Sequence, residues 1–347
     1  MLQYFKERFV MLALLISAAG IAILYLLSQQ QPRGHYGFKR RYKAFPVPTL
    51  QVPLGYNSYY LAGADSNSVL LGNVLAPLHA IQINLQTPDT VHIRISADTS
   101  FQAVKSRLTL LGSRFLMTDP QLHTVWAGST QTWKCRKVTF KPGSPLTLDE
   151  YLPVSTSAVL FRAVQNQQFV IGLHKQGKQP LIFPSFLRKR GDPLFSSDGT
   201  MLYDQRTGRF AYVYFYQNQF TISDSILRHA RSYPTLDTNG HALVQARWIK
   251  SSRALKLSSA PVMINRLAAL SAERLFIYSK IHADNDDPRR KDSHTAIDVY
   301  SATSGKYQHS FYLSDPGGTS IRGILVHENQ LIILYERTLA VFSLPKT

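Results

Sequence analysis

From Leu54 onward the chain alternates apolar and polar residues in runs of four to eight, broken by glycine, proline, asparagine and aspartate. A period of two sends successive side chains to opposite faces of a strand. No stretch of this region keeps the 3.6-residue period of a helix, so the pattern predicts an all-β domain. The clearest strand is Phe210-Ala211-Tyr212-Val213-Tyr214-Phe215-Tyr216. Tyr212, Tyr214 and Tyr216 share one face and Val213 and Phe215 the other, which predicts burial on both sides. Gln217-Asn218 then predicts a turn into a returning strand over residues 219–223, and Asp198-Gly199 predicts the positive φ angles of a tight hairpin.

Units of strand, turn and strand can be laid out over residues 79–101, 108–133, 158–183, 210–236, 275–313 and 321–344. Their starts fall roughly 30 to 65 residues apart, centred near the length of a four-stranded propeller blade. A ring of such blades buries both faces of every sheet and leaves only short edges, which suits strands that are apolar on both sides. The expected fold is therefore a β-propeller of six blades, with a tandem β-sandwich as the alternative. A ring must close, and the last apolar run, residues 330–344, ends almost at the C-terminus. It is expected to pair with an early strand near residues 54–61.

The start of the chain follows a different rule. Residues 9–27 carry no charge, and at about 1.5 Å per residue a helix of that length crosses a hydrocarbon core. The run ends in Tyr25-Leu26-Leu27-Ser28 rather than in small residues, which favours an uncleaved anchor over a signal peptide. The organisation read from the sequence is a tail at 1–8, a single transmembrane helix at 9–27, a tether at 28–53 and the propeller at 54–347. Lys6 and Arg8 precede the helix while Arg33, Lys39, Arg40, Arg41 and Lys43 follow it. A literal positive-inside count places the domain in the cytoplasm, but the signal-anchor layout places it outside, and an extracytoplasmic, periplasmic location is the expectation.

Composition adds partners and exclusions. The 347 residues include 39 lysines and arginines against 21 acids, a formal charge of +18 that favours anionic partners. The basic residues form only short clusters, so nucleic acid is not the expected partner; another protein or an anionic ligand is. A single cysteine, Cys135, excludes an intrachain disulfide and a cysteine-clustered metal site. The stretch from Gly172 to Gln179 has the spacing of a phosphate loop, but Gln179 stands where a magnesium-binding hydroxyl is needed, and no helix pattern follows. It reads as a hairpin turn. No Gly-x-Ser-x-Gly elbow and no helical histidine pair is present.

Two segments retain candidate chemistry. The acidic loop His282-Ala283-Asp284-Asn285-Asp286-Asp287 offers hard oxygen ligands, and Asp284 and Asp286 are candidate calcium ligands, although Pro288 and Arg289 follow where a calcium loop turns. Arg188, Lys189 and Arg190, with the aromatic run Tyr212, Tyr214 and Tyr216, form a candidate binding surface.

Phe195-Ser196-Ser197-Asp198-Gly199 resembles the Phe-Ser-Pro-Asp-Gly turn of TolB-like blades, with Ser197 in the proline position. Residues 298–306, Asp-Val-Tyr-Ser-Ala-Thr-Ser-Gly-Lys, resemble the strand and Thr-Gly-Lys turn of many propellers, with Ser304 interrupting it. The chain thus resembles bacterial six-bladed β-propeller proteins of the TolB or NHL type. That resemblance implies a fold and carries no activity. A membrane-anchored interaction or ligand-sensing module is the leading expectation, and a propeller hydrolase acting on a glycan or lactone, through carboxylates or a metal at the central channel, is the alternative.

Overall fold

The computed structural model describes residues 11, 13, 16–21, 36–44, 47–138, 146–188, 194, 196–238, 246–249, 254–257, 262–290, 294–314 and 320–344. Of the predicted anchor, residues 11, 13 and 16–21 are described; they are helical, and Met11, Ile16 and Ile21 are exposed. Among the described residues no helix is long and apolar enough to cross a membrane. The rest of the predicted anchor lies outside the described residues.

Strands begin with β1 (Leu50–Pro53) and then follow in groups of four. The first group is β2 (Tyr59–Ala64), β3 (Ser68–Asn73), β4 (His79–Asn84) and β5 (Thr90–Arg94). A two-residue strand, β6 (Ser96–Ala97), precedes β7 (Arg107–Leu111), β8 (Arg114–Asp119), β9 (Thr124–Ser129) and β10 (Lys134–Val138). Next come β11 (Thr147–Ser155), β12 (Ala158–Gln165), β13 (Gln168–Lys175) and β14 (Leu181–Phe183), then β15 (Gly199–Asp204), β16 (Arg209–Tyr214), β17 (Gln219–Asp224) and β18 (Arg231–Pro234). A separate hairpin of β19 (Ala246–Ile249) and β20 (Ala254–Leu257) leads to β21 (Asn265–Leu270), β22 (Arg274–Ser279), β23 (His294–Ser301) and β24 (Tyr307–Ser314). The last group is β25 (Gly323–His327), β26 (Gln330–Leu334) and β27 (Thr338–Ser343).

Each group forms one antiparallel sheet in sequence order, with β6 added beside β10, and the last three strands are completed by β1 pairing with β27. The fold is a six-bladed β-propeller. Its ring is visible in the cores. Six apolar clusters lie between successive sheets, and each strand in the middle of a blade feeds two of them. On β16, Phe210, Tyr212 and Tyr214 enter the core shared with the third blade, while Ala211 and Val213 enter the core shared with the fifth. The closing cluster joins Val52, Val69 and Ile81 to Ile332, Leu339 and Val341, so the first and last blades share a core like any other pair. Seven of the eighteen tyrosines counted in the sequence sit in these clusters as buried residues, and others, Tyr60 among them, pack partly buried against them. Several place their hydroxyls on the neighbouring blade: Leu108 N donates to Tyr60 Oη at 2.6 Å, Leu236 N to Tyr300 Oη at 2.9 Å, and Tyr335 Oη to Ser314 O at 2.9 Å.

Three expectations need correction. The closing strand lies at Leu50–Pro53, ahead of the 54–61 expected, because residues 59–64 form the inner strand of the first blade instead. Asp198-Gly199 is not a hairpin tip. Gly199 opens β15 without a positive φ, and a Cβ there would strike Val213 O and the Tyr212 ring. The tip of that hairpin is Thr207-Gly208, where Gly208 has φ +66 and Thr207 N and Oγ1 both donate to Asp204.

Nor is the segment read as a tether free over its whole length. Residues 38–44 lie along β24, with Tyr42 bridging Ser310, Lys43 N donating to Ser310 O and Ser310 N to Arg41 O. Arg40, one of the basic residues that follow the predicted helix, is buried. Its Nε donates to Asp298 Oδ1 at 2.8 Å, its Nη1 to Asp286 Oδ2 at 2.8 Å and its Nη2 to Ile281 O at 2.9 Å. Burial opposes the charge on Arg40, and Asp298 and Asp286 outweigh it, so the guanidinium stays firmly protonated. This segment is a strap that fastens the chain to the fifth blade before β1 closes the sixth.

Breaking a buried ion pair by removing one partner costs about 3–5 kcal/mol, because the other charge is left uncompensated. Arg40→Met is expected to lower the unfolding free energy measured by chemical denaturation by an amount in that range, and Arg40→Met with Asp298→Leu to recover part of the loss, Asp286 remaining unmatched. A double variant no more stable than the single one would show that the strap is held by other contacts.

Candidate functional site

The strap and the fifth blade enclose a cleft of about 590 Å³, within the range of small-ligand sites. Its floor is the ring pair Tyr42 and Tyr312, stacked at 4.2 Å with 13° between planes. Arg290 lies over the Tyr312 ring at 5.2 Å, and His294 meets the same ring edge-on at 6.1 Å. Lys43 from the strap, Val47 and Pro48 beyond it, and Asn285 and Asp287 also line the cleft. Val47 is 81% exposed there. A second pocket of about 260 Å³ adjoins it, sharing Asp287, Arg290, His294 and Tyr312. Tyr42 Oη donates to Asp286 Oδ1 at 2.6 Å, and burial followed by this bond holds its phenol well above the usual value. Tyr42 is therefore neutral; the Asn285 amide is committed to the Arg40 backbone, Arg290 lies 3.6 Å from Asp287, and Lys43 is exposed at the cleft.

A second constellation stands on the innermost strand of the third blade. A β-bulge between Leu148 and Glu150 inserts Asp149 as an extra residue, and Glu150 lies directly opposite Arg162 on β12. Arg162 continues the row of Ala158 and Leu160 that faces the fourth blade. Its Nε and Nη2 donate to Asp149 Oδ2, the former at 2.8 Å, and its Nη1 donates to Asp198 Oδ1 at 2.8 Å and to Gly199 O. Its plane also rests over Phe169 at 4.6 Å. Lys105 reaches Asp149 from the second blade at 3.4 Å. One guanidinium thus ties three carboxylates and two blades together, with a lysine from a third.

These neighbours push the two adjacent acids apart. Burial works against the charge on Asp149, but Arg162 and then Lys105 overcome it, and its carboxyl is held below the usual range. Glu150 lies 3.9 Å from Arg162 Nη2. Water reaches 38% of its side chain, but desolvation, opposed by Arg162 and reinforced by the Asp149 charge, pushes its carboxyl up to about 7. Opposed shifts in neighbouring acids are the pattern of an acid and its partner base.

The residues singled out in the sequence fare differently. Tyr212 and Tyr214 have no accessible surface and belong to the core, so they do not form a binding surface; Tyr212 Oη donates to Ser197 O and Tyr214 Oη accepts from Arg188 N. Tyr216 is half-buried and Arg188 exposed, while Lys189 and Arg190 lie outside the described residues. Asp286 is bound by Arg40, Tyr42 and Ala283 N, and Asp284 N donates to Phe38 O. The acidic loop thereby fastens the strap, and a calcium ion would have to displace Arg40 from Asp286. Among the described residues no group of three or more His, Cys, Asp or Glu is placed to hold a metal. Cys135 is buried, which pushes its thiol up to about 11, so it is a core residue. Lys175 ends β13 and Gly177 turns the chain with φ +72, as a hairpin reading of that segment requires.

Sequence reasoning missed Arg162, Asp149 and Glu150, because their meeting depends on a bulge and on the next blade. It also missed the pair His79 and His92, whose ring nitrogens lie 3.0 Å apart across β4 and β5. Their separation of thirteen residues has no local signature.

No protein-family model matches the chain, and no curated protein matches it. Its likeness is to solved structures. A member of the DUF4221 family from Bacteroides vulgatus superposes with a TM-score of 0.52 at 13% identity, covering 88% of this chain and 98% of the other. Virginiamycin B lyase from Staphylococcus aureus gives 0.48 at 10% identity, covering 85% and 99%. YCF48 bound to D1 peptide gives 0.44 at 11% identity, covering 88% and 98%. The resemblance to six-bladed propellers holds as a likeness of fold.

Glu150 binds its proton more tightly in the folded chain than the ordinary pKa of about 4.3 allows. Its contribution to stability is therefore complete below about pH 4 and is lost as pH rises toward 7. Asp149, held low, loses its contribution only at more acidic pH. Glu150→Gln is expected to flatten the pH dependence of the melting temperature across that interval. A carboxyl titration of Glu150 by NMR with a midpoint near 4 would contradict the environment described above.

Proposed function

We propose that this propeller is a non-catalytic interaction module, tethered to a membrane by residues 9–27, which takes a segment of a protein partner in the cleft between the strap and the fifth blade. The observation that carries the reading is the lining of that cleft: stacked tyrosines offer flat apolar area, while Arg290 and Lys43 offer charge at its rim. Aromatic residues and arginine are the side chains most enriched where binding energy concentrates. The positive balance of the chain favours an acidic segment as the occupant. The carboxylates near the axis support a binding role as well, because Asp149 and Asp198 are committed to Arg162.

A second reading rests on Glu150. An acid pushed up to about 7 beside a carboxylate held low is suited to proton transfer, which keeps a hydrolase at the inner strands as the alternative. The two are separable by variant. Tyr312→Ala and Glu150→Gln affect different sites on the fifth and third blades.

A photo-crosslinking residue at Val47, in the full chain in its native membrane, is expected to capture one protein species, while the same residue at the exposed Val91 on the first blade is not. Tyr312→Ala should weaken that capture about tenfold or more, the effect of an anchor worth over 1 kcal/mol, and Glu150→Gln should leave it intact. Equal capture from both positions would remove the cleft from consideration. Release of the full chain from membranes by alkaline extraction would remove the tether.

A further inference from the structure

A different part of the surface gathers positive charge in a concavity. A cleft of about 590 Å³ lies between the fourth and fifth blades, bounded by the β15–β16 turn, the β17–β18 loop and the turn that follows β23. Arg209, Arg228 and Arg231 line it, together with His229, Thr207 and Thr303. Arg228, His229 and Arg231 are exposed.

The nearby carboxylates are held by backbone and hydroxyl donors rather than by these arginines. Asp224 Oδ1 accepts from Ile226 N and Arg228 N, which shapes the loop, and Asp204 Oδ2 accepts from Thr207 N and Oγ1. Arg209 commits one Nη to Ala272 O. Among the described residues none of the three guanidiniums makes an ion pair with a carboxylate. Arg40 and Arg162 are each matched by two or more carboxylates, whereas here Arg209 at the start of β16, Arg228 from the β17–β18 loop and Arg231 at the start of β18 line one cleft that holds a single acid, Asp224.

We infer that this cleft is an oxyanion site for a phosphate-bearing ligand. Guanidinium groups present a planar fork of donors that fits the oxygens of phosphate two at a time, and a concave surface of one sign concentrates an opposite charge. The Thr303 hydroxyl lies at the same cleft and offers a neutral donor. The surface is concave, and Asp224 is the one acid among the three arginines and the histidine that line it. The same phosphate chemistry is presented by a soluble phosphate compound and by a phospholipid head group, and the two sources are distinguished by the form in which the probe is supplied. The inference does not depend on the strap cleft or on its partner.

The test uses the full chain held in nanodiscs of phosphatidylcholine. In one arm inorganic pyrophosphate is added at constant ionic strength set with chloride; in the other the discs contain phosphatidylglycerol. The readouts are the melting temperature and the amide exchange of residues 226–234. A saturable rise in melting temperature with slowed exchange in the pyrophosphate arm identifies a soluble ligand, and the same response confined to anionic discs identifies a head group. Either response should be abolished by Arg228→Glu with Arg231→Glu, whose side chains are exposed, and preserved in Arg114→Glu, an exposed arginine on the second blade. Absence of a response in both arms overturns the inference. So does a response that survives the double charge reversal.

Discussion

Four backbone pairs between β1 and β27, from Leu50 with Val341 to Pro53 with Thr338, join the two ends of the domain. Every blade has two apolar faces, so each needs a neighbour on both sides, and an open row of blades would leave two faces in water. Closure is what turns that liability into stability. The cluster that includes Val52, Leu339 and Val341 is the seam of the ring, and apart from Tyr59 its buried residues are valine, leucine and isoleucine. Once the seam holds, the inner strands are fixed around one axis, and residues far apart in sequence acquire permanent neighbours.

The polar structure of the molecule follows from that geometry. Apolar packing between blades is undirected, and hydrogen bonds from tyrosine hydroxyls to the next blade set how neighbouring sheets meet. Arg162 acts in the same way with charge, reaching from the third blade to Asp198 and Gly199 at the head of the fourth. Buried charge of this sort adds little net stability compared with an apolar pair, because desolvation offsets the attraction. Its consequence here is local: Asp149 is held ionised and Glu150 is pushed toward neutrality, in adjacent positions of one strand.

The strap gives the fifth blade a second distinction. Arg40 is matched to Asp298 and Asp286, so the acidic loop and the N-terminal segment stabilise each other, and the cleft above Tyr42 and Tyr312 exists only when both are in place. The basic cleft toward the fourth blade has the opposite character, with its arginines unmatched. One blade therefore borders both a surface whose charges are satisfied within the chain and one whose charges are available to a ligand.

The amino-acid sequence alone determined the strand character and the repeat of the units along the chain, because a two-residue period and a short turn are local properties that each strand carries independently. The six units laid out from that pattern each fall on strands of a different blade, and the turn at Ser304-Gly305 lies between β23 and β24 as its residues imply, with φ +69 at Gly305. Local pattern failed where the same residues satisfy two environments. Asp198-Gly199 has the composition of a hairpin tip, but the room required by Val213 and Tyr212 assigns it to a strand entrance. Lys39-Arg40-Arg41 has the composition of a solvated cluster, yet Arg40 finds two carboxylates more than two hundred residues away. The tyrosines of β16 were legible as strand residues, and only the packing of two further blades decided that Tyr212 and Tyr214 are core rather than surface. Charge pairing, burial and the shape of a cleft depend on which blades become neighbours, and that is fixed by ring closure, to which no single stretch of sequence holds the key.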